Sequence, residues 1–351
     1  MNRWKEASSL IISAACKNQI APKTPILKLA EVDKCNFEIL ALKKRSTPKP
    51  QLCVFPGGSV SIADSVQEWE GLFSKFGLTL NVLSDSLANT NILKLPIFND
   101  RNEDLPRWLS LRITAIRETF EECGILLCKS KQTQNTLQDQ SALIQDHTTN
   151  HFEVDNIESW RSKVLDDPFQ FLALCEHFNC YPDVENLYLW SNWLTPSHMT
   201  ERFDAVFFFT NMNHLTLYRG SPDYKEIESS EWFTPEELLD LSHRGEIWLK
   251  PPQWYEIKEL LHVKEFTSLH KHSFRRSNSC LRWMPVRIIA LDGEISLLPG
   301  DEMYPNEIHL FKSSPIVRKE ESMASLRCEK MHRMEHTGVK IVLFDTRSDC
   351  R

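Results

Sequence analysis

The sequence predicts an α/β fold, a mixed sheet sandwiched between helices and enlarged by helical insertions. Three observations point to it. Short apolar, β-branched or aromatic runs recur at 7–16, 37–42, 52–55 and 202–209, the signature of buried strands. Residues 109–123 repeat their apolar side chains at three- and four-residue spacing, as one buried face of a helix does. Between them a glycine pair, Gly57-Gly58, follows directly on the third strand, where consecutive glycines permit positive φ and close backbone approach. At 351 residues the chain can bury a substantial core.

Taken in order, 7–16 is the first strand, with Leu10, Ile11 and Ile12 at its centre. Residues 37–42 form a second strand, followed by Lys43-Lys44-Arg45 and a proline-rich turn. Residues 52–55 form a third, which runs into Pro56-Gly57-Gly58. From 59 to 104 the chain is an insertion, and Trp69, Leu72, Phe73 and Phe76 give part of it helical spacing. Either it is extra core or it supplies part of a ligand pocket. Residues 129–149 are rich in Gln, Asn, Ser and Thr and read as a linker. Residues 154–179 are helical, interrupted at Asp166-Asp167-Pro168. Residues 187–194 and 202–209 are strands, with Arg202 and Asp204 expected to pair locally at the entrance of the second. Glu228, Glu231, Trp232 and Phe233 lie on a strand that leads into a helix capped by Thr234 with Pro235 at its first position. Another helix opens at 249–256. Between 258 and 287 there are seven Lys or Arg against two acids. That tract reads as a solvated basic loop, with contact to substrate phosphates as the alternative. Residues 288–298 form a hairpin about Asp292-Gly293. The chain is therefore divided into a single domain over 1–315 and a charged, loose tail over 316–351, in which 339–344 could add an edge strand.

The chemistry concentrates on the helix. Leu109, Ile113, Ile116, Phe120 and Cys123 form its apolar stripe. Glu118, Glu121 and Glu122 fall together on the other side, where like charges at i, i+3 and i+4 repel. A hard divalent cation turns that repulsion into ligation, because Mg²⁺ takes oxygen ligands from carboxylates and substrate phosphates. Arg117, four residues before Glu121, is placed to brace it, and Gly124 ends the helix.

The run Arg117-Glu118-Thr119-Phe120-Glu121-Glu122-Cys123-Gly124-Ile125 resembles the second half of a Nudix box, R-E-U-x-E-E-x-G-U with U apolar. Gly58 resembles the start of its first half, G-x5-E, which places Asp64 where the family has Glu. The family expects seven residues before the Arg; this chain has fifty-two, 65–116. A long insertion there is a feature of the acyl-coenzyme A diphosphatases within the family. Trp190-x-x-Trp193-Leu194-Thr195-Pro196, Arg202-Phe203-Asp204 and Pro299-Gly300-Asp301 resemble the same subgroup.

The resemblance implies a Nudix α/β/α sandwich and hydrolysis of the diphosphate bond of coenzyme A and its thioesters, giving 3′,5′-ADP and the 4′-phosphopantetheine moiety. It implies Mg²⁺ or Mn²⁺ held by Glu118, Glu121 and Glu122, with Glu118 either ligand or general base. Arg117 would orient the carboxylates, Gly57 and Gly58 would face the substrate, and Arg202, as the alternative to its pairing with Asp204, would contact phosphate. Glu228 is a further metal-ligand candidate. Other diphosphate substrates, such as nucleotide sugars, dinucleotides or capped RNA, and a catalytically inactive binding module are the alternatives. A net charge of −7 argues against nucleic-acid binding, and no apolar run is long enough to span a membrane. The chain is read as a monomer acting on a small molecule. Its ten cysteines are read as scattered, reduced thiols in an intracellular protein, without a zinc site. The family resemblance suggests a peroxisome, but Asp349-Cys350-Arg351 is not the usual C-terminal signal, so mitochondrial and cytosolic locations stay open.

Overall fold

A computed structural model describes residues 4–16, 34–45, 50–87, 94–99, 101, 103–130, 148–212, 225–311, 314–338 and 340–346. Strands β1 (Lys5–Ala15), β2 (Phe37–Lys44), β3 (Gln51–Val54) and β4 (Gly57–Ser59) open the chain. Helices α1 (Glu68–Ser74), α2 (Leu80–Leu87) and α3 (Arg107–Cys123) follow, and then β5 (Cys128–Ser130). The expected linker falls mostly at 131–147, outside the described residues. Next come α4 (Ile157–Asp166), α5 (Gln170–His177), β6 (Cys180–Pro182), β7 (Tyr188–Leu194), β8 (Phe203–Met212) and β9 (Ile227–Phe233). The break between α4 and α5 falls at Asp167-Pro168, as the sequence predicts. Helix α6 (Pro235–His243) carries the expected Thr234 cap, with Glu237 completing a capping box. The chain ends with β10 (Ile247–Leu249), α7 (Pro251–Leu260), α8 (Phe266–Asn278), β11 (Arg282–Trp283), β12 (Val286–Ala290), β13 (Glu294–Leu297), β14 (Ile316–Arg318), β15 (His332–Thr337) and β16 (Lys340–Asp345).

The main sheet has nine strands in the order β10-β3-β2-β1-β8-β7-β11, with β4 on β1 and β9 on β2. It is mixed: β1 runs parallel to β8, and β10 to β3, while the β1–β2 and β7–β8 pairs are antiparallel. Alternation along β1 assigns its two faces. Leu10, Ile12 and Ala14 pack with α3 and both insertions, whereas Ile11 joins Phe207, Leu238, Tyr255 and Leu269 beneath the later helices. This is the expected sandwich. The insertion residues Trp69, Leu72, Phe73 and Phe76 all belong to the α3-side core.

Three expectations are corrected. Residues 316–345 are not a loose tail: β14, β15 and β16 join β12 and β13 in a five-stranded sheet, with β16 as the edge strand that 339–344 could supply. Arg333 and Asp301, both fully buried, form a bidentate pair at 2.6 Å that ties β15 to the Pro299-Gly300 turn. The basic tract is not a loop, because much of it is α8. Its Arg276 is held by Glu256 (2.7 Å) and Glu259 (3.2 Å). The cysteines are not all scattered: the thiols of Cys128, Cys175 and Cys180 lie within 4.8 Å of one another in the core. Their distance in sequence hides that proximity. No helix among the described residues is long and apolar enough to cross a membrane.

Candidate active site

The site is assembled where α3 passes over the β3–β4 turn. The helix ends as its sequence requires, with Gly124 at φ 72° and its N–H on Phe120 O. Gly57 has a φ of 147°, and a Cβ there would stand 2.5 Å from Ser8 O on β1. At Gly58 a Cβ would stand 2.3 Å from Glu118 Oε2. The glycine pair therefore lets the turn lie flat between the first strand and the first carboxylate.

Arg117 is the hub. Its guanidinium donates from Nε to Asp64 Oδ1 at 2.7 Å and from Nη2 to Asp64 Oδ2 at 2.9 Å. It also reaches Glu121 Oε1 at 2.6 Å and Glu118 Oε1 at 3.1 Å. Asp64 is buried, accepts from Thr114 Oγ1 at 2.8 Å and caps its own short 3-10 turn with Ser61. The acid at the expected first-glutamate position is thus an anchor for Arg117, and it does not line the cavity.

The three glutamates differ in what they already hold. Glu122 accepts from Gly57 N at 2.7 Å through one oxygen and from Lys44 Nζ at 3.1 Å through the other. Lys44 also reaches Glu226, at 3.0 Å. Glu118 and Glu121 each keep one oxygen that accepts no hydrogen bond from the described residues. Burial pushes Glu118 up to about 8, against the pull of Arg117 and with help from Glu121 and Glu122. Burial also pushes Glu122 up to about 7, against Lys44 and the Gly57 amide, and raises Glu121 against Arg117. Crowded carboxylates with raised affinity for protons and free oxygen lone pairs suit a hard cation.

These acids open on a cavity of about 970 Å³. Trp193, Met199, Phe203 and Phe207 give it an apolar side, and Arg287, Ser296, His336 and Ile341 of the C-terminal sheet close over it. His198 lies there with neither ring nitrogen hydrogen-bonded to any of the described residues.

The other predicted residues fare unequally. Gly57, Gly58, Glu118, Glu121 and Glu122 all line the cavity. Arg202 does not; its guanidinium lies 5.3 Å from the centre of the Trp4 ring. It does not pair with Asp204 either, which is held by Arg282 at 2.5 Å and Asn192 at 2.8 Å. Glu228 sits outside, accepting from Gln51 at 2.6 Å, while its neighbour Glu226 lines the cavity. Of the basic tract, Arg287 lines the cavity but is paired with Glu294. Sequence reasoning passed over Lys44 and Glu226. The one available signal was the Lys43-Lys44-Arg45 run that follows a strand.

A mixed sheet between helices, with an Arg-braced acidic helix set against a Gly-Gly turn, defines the Nudix class. The fold matches a crystal structure of a Nudix hydrolase from Alicyclobacillus acidocaldarius with a TM-score of 0.52 at 16% identity, over 77% of this chain and 97% of that one. Within the class, the chain belongs to the NUDT19 family: the NUDT19 Nudix domain matches residues 4–260 and the NUDT19 C-terminal domain residues 287–343. It is 33% identical to the acyl-coenzyme A diphosphatase NUDT19 of Xenopus laevis, over 87% of this chain and 82% of that protein. To the protein of that name from Homo sapiens it is 31% identical, over 95% and 89%. Nudix hydrolases act on phosphoric anhydrides and generally need divalent metal ions.

Proposed function

We propose that this protein hydrolyses the diphosphate bond of coenzyme A and acyl-coenzyme A, releasing 3′,5′-ADP and (acyl-)4′-phosphopantetheine, with Mg²⁺ or Mn²⁺. One observation carries the reading: the carboxylates of Glu118, Glu121 and Glu122 meet the Gly57-Gly58 turn at one wall of a cavity large and apolar enough for a pantetheine arm. The relatives named above add the substrate class.

Glu118 and Glu121 would hold the metal through their free oxygens, and Glu122 through the lone pairs that Gly57 and Lys44 leave over. Bound there, a divalent ion neutralises diphosphate charge and lowers the pKa of a coordinated water. Arg117 fixes the carboxylates of Glu118 and Glu121, so that neither must reorganise during the reaction. Glu118 would alternatively serve as the general base that takes a proton from the attacking water, in place of its role as a metal ligand. The Gly58 backbone can approach the diphosphate because no side chain intervenes.

The test is incubation of the purified protein with coenzyme A and Mg²⁺ or Mn²⁺, with products read by mass spectrometry beside Glu121→Gln. Metal-dependent 3′,5′-ADP that is lost in the variant supports the reading. Cleavage of a different diphosphate with coenzyme A untouched would overturn the substrate.

A further inference from the structure

The cavity has a wall that the diphosphate chemistry does not use. Strand β10 lies at the edge of the main sheet. Its Ile247 and Leu249 pack into the core, so the alternate residues Trp248 and Lys250 face the other way. Both line the cavity. Trp248 is 39% exposed, large for an indole with no partner ring among the described residues. Lys250 differs from Lys44: its ammonium meets no acceptor within hydrogen-bond reach among the described residues, whereas Lys44 holds two glutamates. The first turn of α7 adds Gln253, which also lines the cavity, and its Oε1 is buried without a hydrogen-bond partner among the described residues. An orphaned buried amide oxygen is costly unless something fills it.

Register places this trio relative to the chemistry. Trp248 is opposite Leu52 and Leu249 opposite Cys53, in parallel strands. Lys250 then falls level with Val54, three residues before Gly57. At roughly 3.3 Å per residue, Lys250 stands about 10 Å along the strand from the catalytic turn and Trp248 about 16 Å. Val54, Lys44 and Glu122 line the same cavity between them. On the other side of the turn lie the apolar residues of β7 and β8. The sheet order thus gives the cavity two arms, one aromatic, cationic and amide-bearing, the other apolar.

We propose that Trp248, Lys250 and Gln253 form the subsite for a purine nucleotide bearing a phosphomonoester on its ribose. Trp248 stacks the base, Gln253 Oε1 accepts from the exocyclic amino group, and Lys250 pairs with the ribose phosphate. An exposed tryptophan by itself is ordinary. An unpaired cation and an unpaired amide beside it, all facing one cavity, are complementary to adenosine 3′-phosphate chemistry and to nothing apolar. The assignment rests on the proposed coenzyme A activity and orients that substrate, with the acyl arm toward Trp193 and Phe207.

The experiment compares coenzyme A with 3′-dephospho-coenzyme A as substrates, and adds calorimetry with 3′,5′-ADP. Lys250→Gln is expected to raise KM for coenzyme A about tenfold, the loss of one charge-assisted contact, and to leave KM for the dephospho form where it was; Lys250→Arg restores it. Trp248→Ala is expected to raise KM for both substrates roughly 5- to 150-fold, the range for one stacked base, with Trp248→Phe between. Lys250→Gln acting equally on both substrates, or on neither, overturns the proposal. If the wild-type protein cleaves neither compound, the activity reading fails, and calorimetry decides the subsite alone. Binding of 3′,5′-ADP weakened by Lys250→Gln upholds it, and absent binding overturns it.

Discussion

Glu118 rests its carboxylate directly on the α-carbon of Gly58: a methyl group at that carbon would stand 2.3 Å from Oε2 and 2.5 Å from Cδ. Glycine at 58 is therefore a condition for the position of a carboxylate sixty residues later. Gly58→Ala must push Glu118 away, and displacement of a reacting group by about 1 Å costs on the order of 100-fold in rate. Turnover should fall by about that factor while the far-ultraviolet circular dichroism spectrum is unchanged. Retention of full activity would show that Glu118 does not work from this position.

Asp64 and Arg117 are buried together, with side chains 1% and 2% exposed. Removing one partner of such a pair strands the other, at a cost of about 3–5 kcal/mol. Asp64→Asn should lose that much in urea denaturation, and Arg117→Met a similar amount. The double variant should lose clearly less than the two together, because it leaves neither Asp64 nor Arg117 buried without the other, and what remains is the loss of the Arg117 contacts to Glu118 and Glu121. Additive losses would mean that the two residues stabilise separate features.

The helix that carries the acids was legible because its apolar period of 3.6 and its glycine stop are local properties. The glycine pair was legible as a turn, but the reasons for it were not: Gly57 meets Ser8 and Gly58 meets Glu118, contacts that no short window contains. Lys44 and Glu226 escaped notice for the same reason. Of the strands that the C-terminal sheet gains after residue 315, only the edge strand β16 was legible, from its apolar run; the rest was hidden by its charge. Arg333 and Asp301 look like solvated residues in sequence, yet each is buried because the other is there. The basic tract misled in the same way: Arg276 is charged, but it belongs to a buried pair.

The insertion was expected either to extend the core or to line a pocket, and Trp69 separates these. Its indole N–H donates to Ala63 O at 2.8 Å, its ring packs 5.8 Å from Phe171, and it does not reach the cavity. Trp69→Ala should therefore cost about 3–5 kcal/mol of stability, without altering KM for long- relative to short-chain acyl-coenzyme A. A chain-length-dependent KM would return the insertion to the pocket.

His336, on the cavity wall, is pushed down to about 4, first by burial and then by Arg287, with Glu294 opposing. His272 is also held at about 4, first by burial. The folded pKa lies below the ordinary 6.5, so as pH falls the unfolded chain takes protons first. Stability contributed by these neutral rings is complete above pH about 6.5 and is lost as pH drops towards 4. Urea midpoints should fall between pH 7 and 5, and should fall less in His336→Gln. An equal fall in the variant would assign the acid sensitivity elsewhere.

Arg275 and Arg276 are neighbours in sequence and opposites in structure. Arg275 is exposed on α8. Arg276 donates to Glu256 at 2.7 Å and to Glu259 at 3.2 Å, and its guanidinium lies 4.4 Å from the centre of the Trp190 ring. Glu256 in turn accepts from the indole N–H groups of Trp190 and Trp193, both at 2.7 Å. Arg276→Met leaves a fully buried carboxylate without its counter-charge and should cost about 3–5 kcal/mol. Arg275→Met should stay within about 0.5 kcal/mol of wild type, as surface substitutions do. Because Trp193 also lines the cavity, the Arg276 variant should raise KM before it unfolds, whereas the Arg275 variant should not. Equal effects of the two substitutions, read by urea denaturation and initial rates, would mean that the tract acts through its net charge and not through this pair.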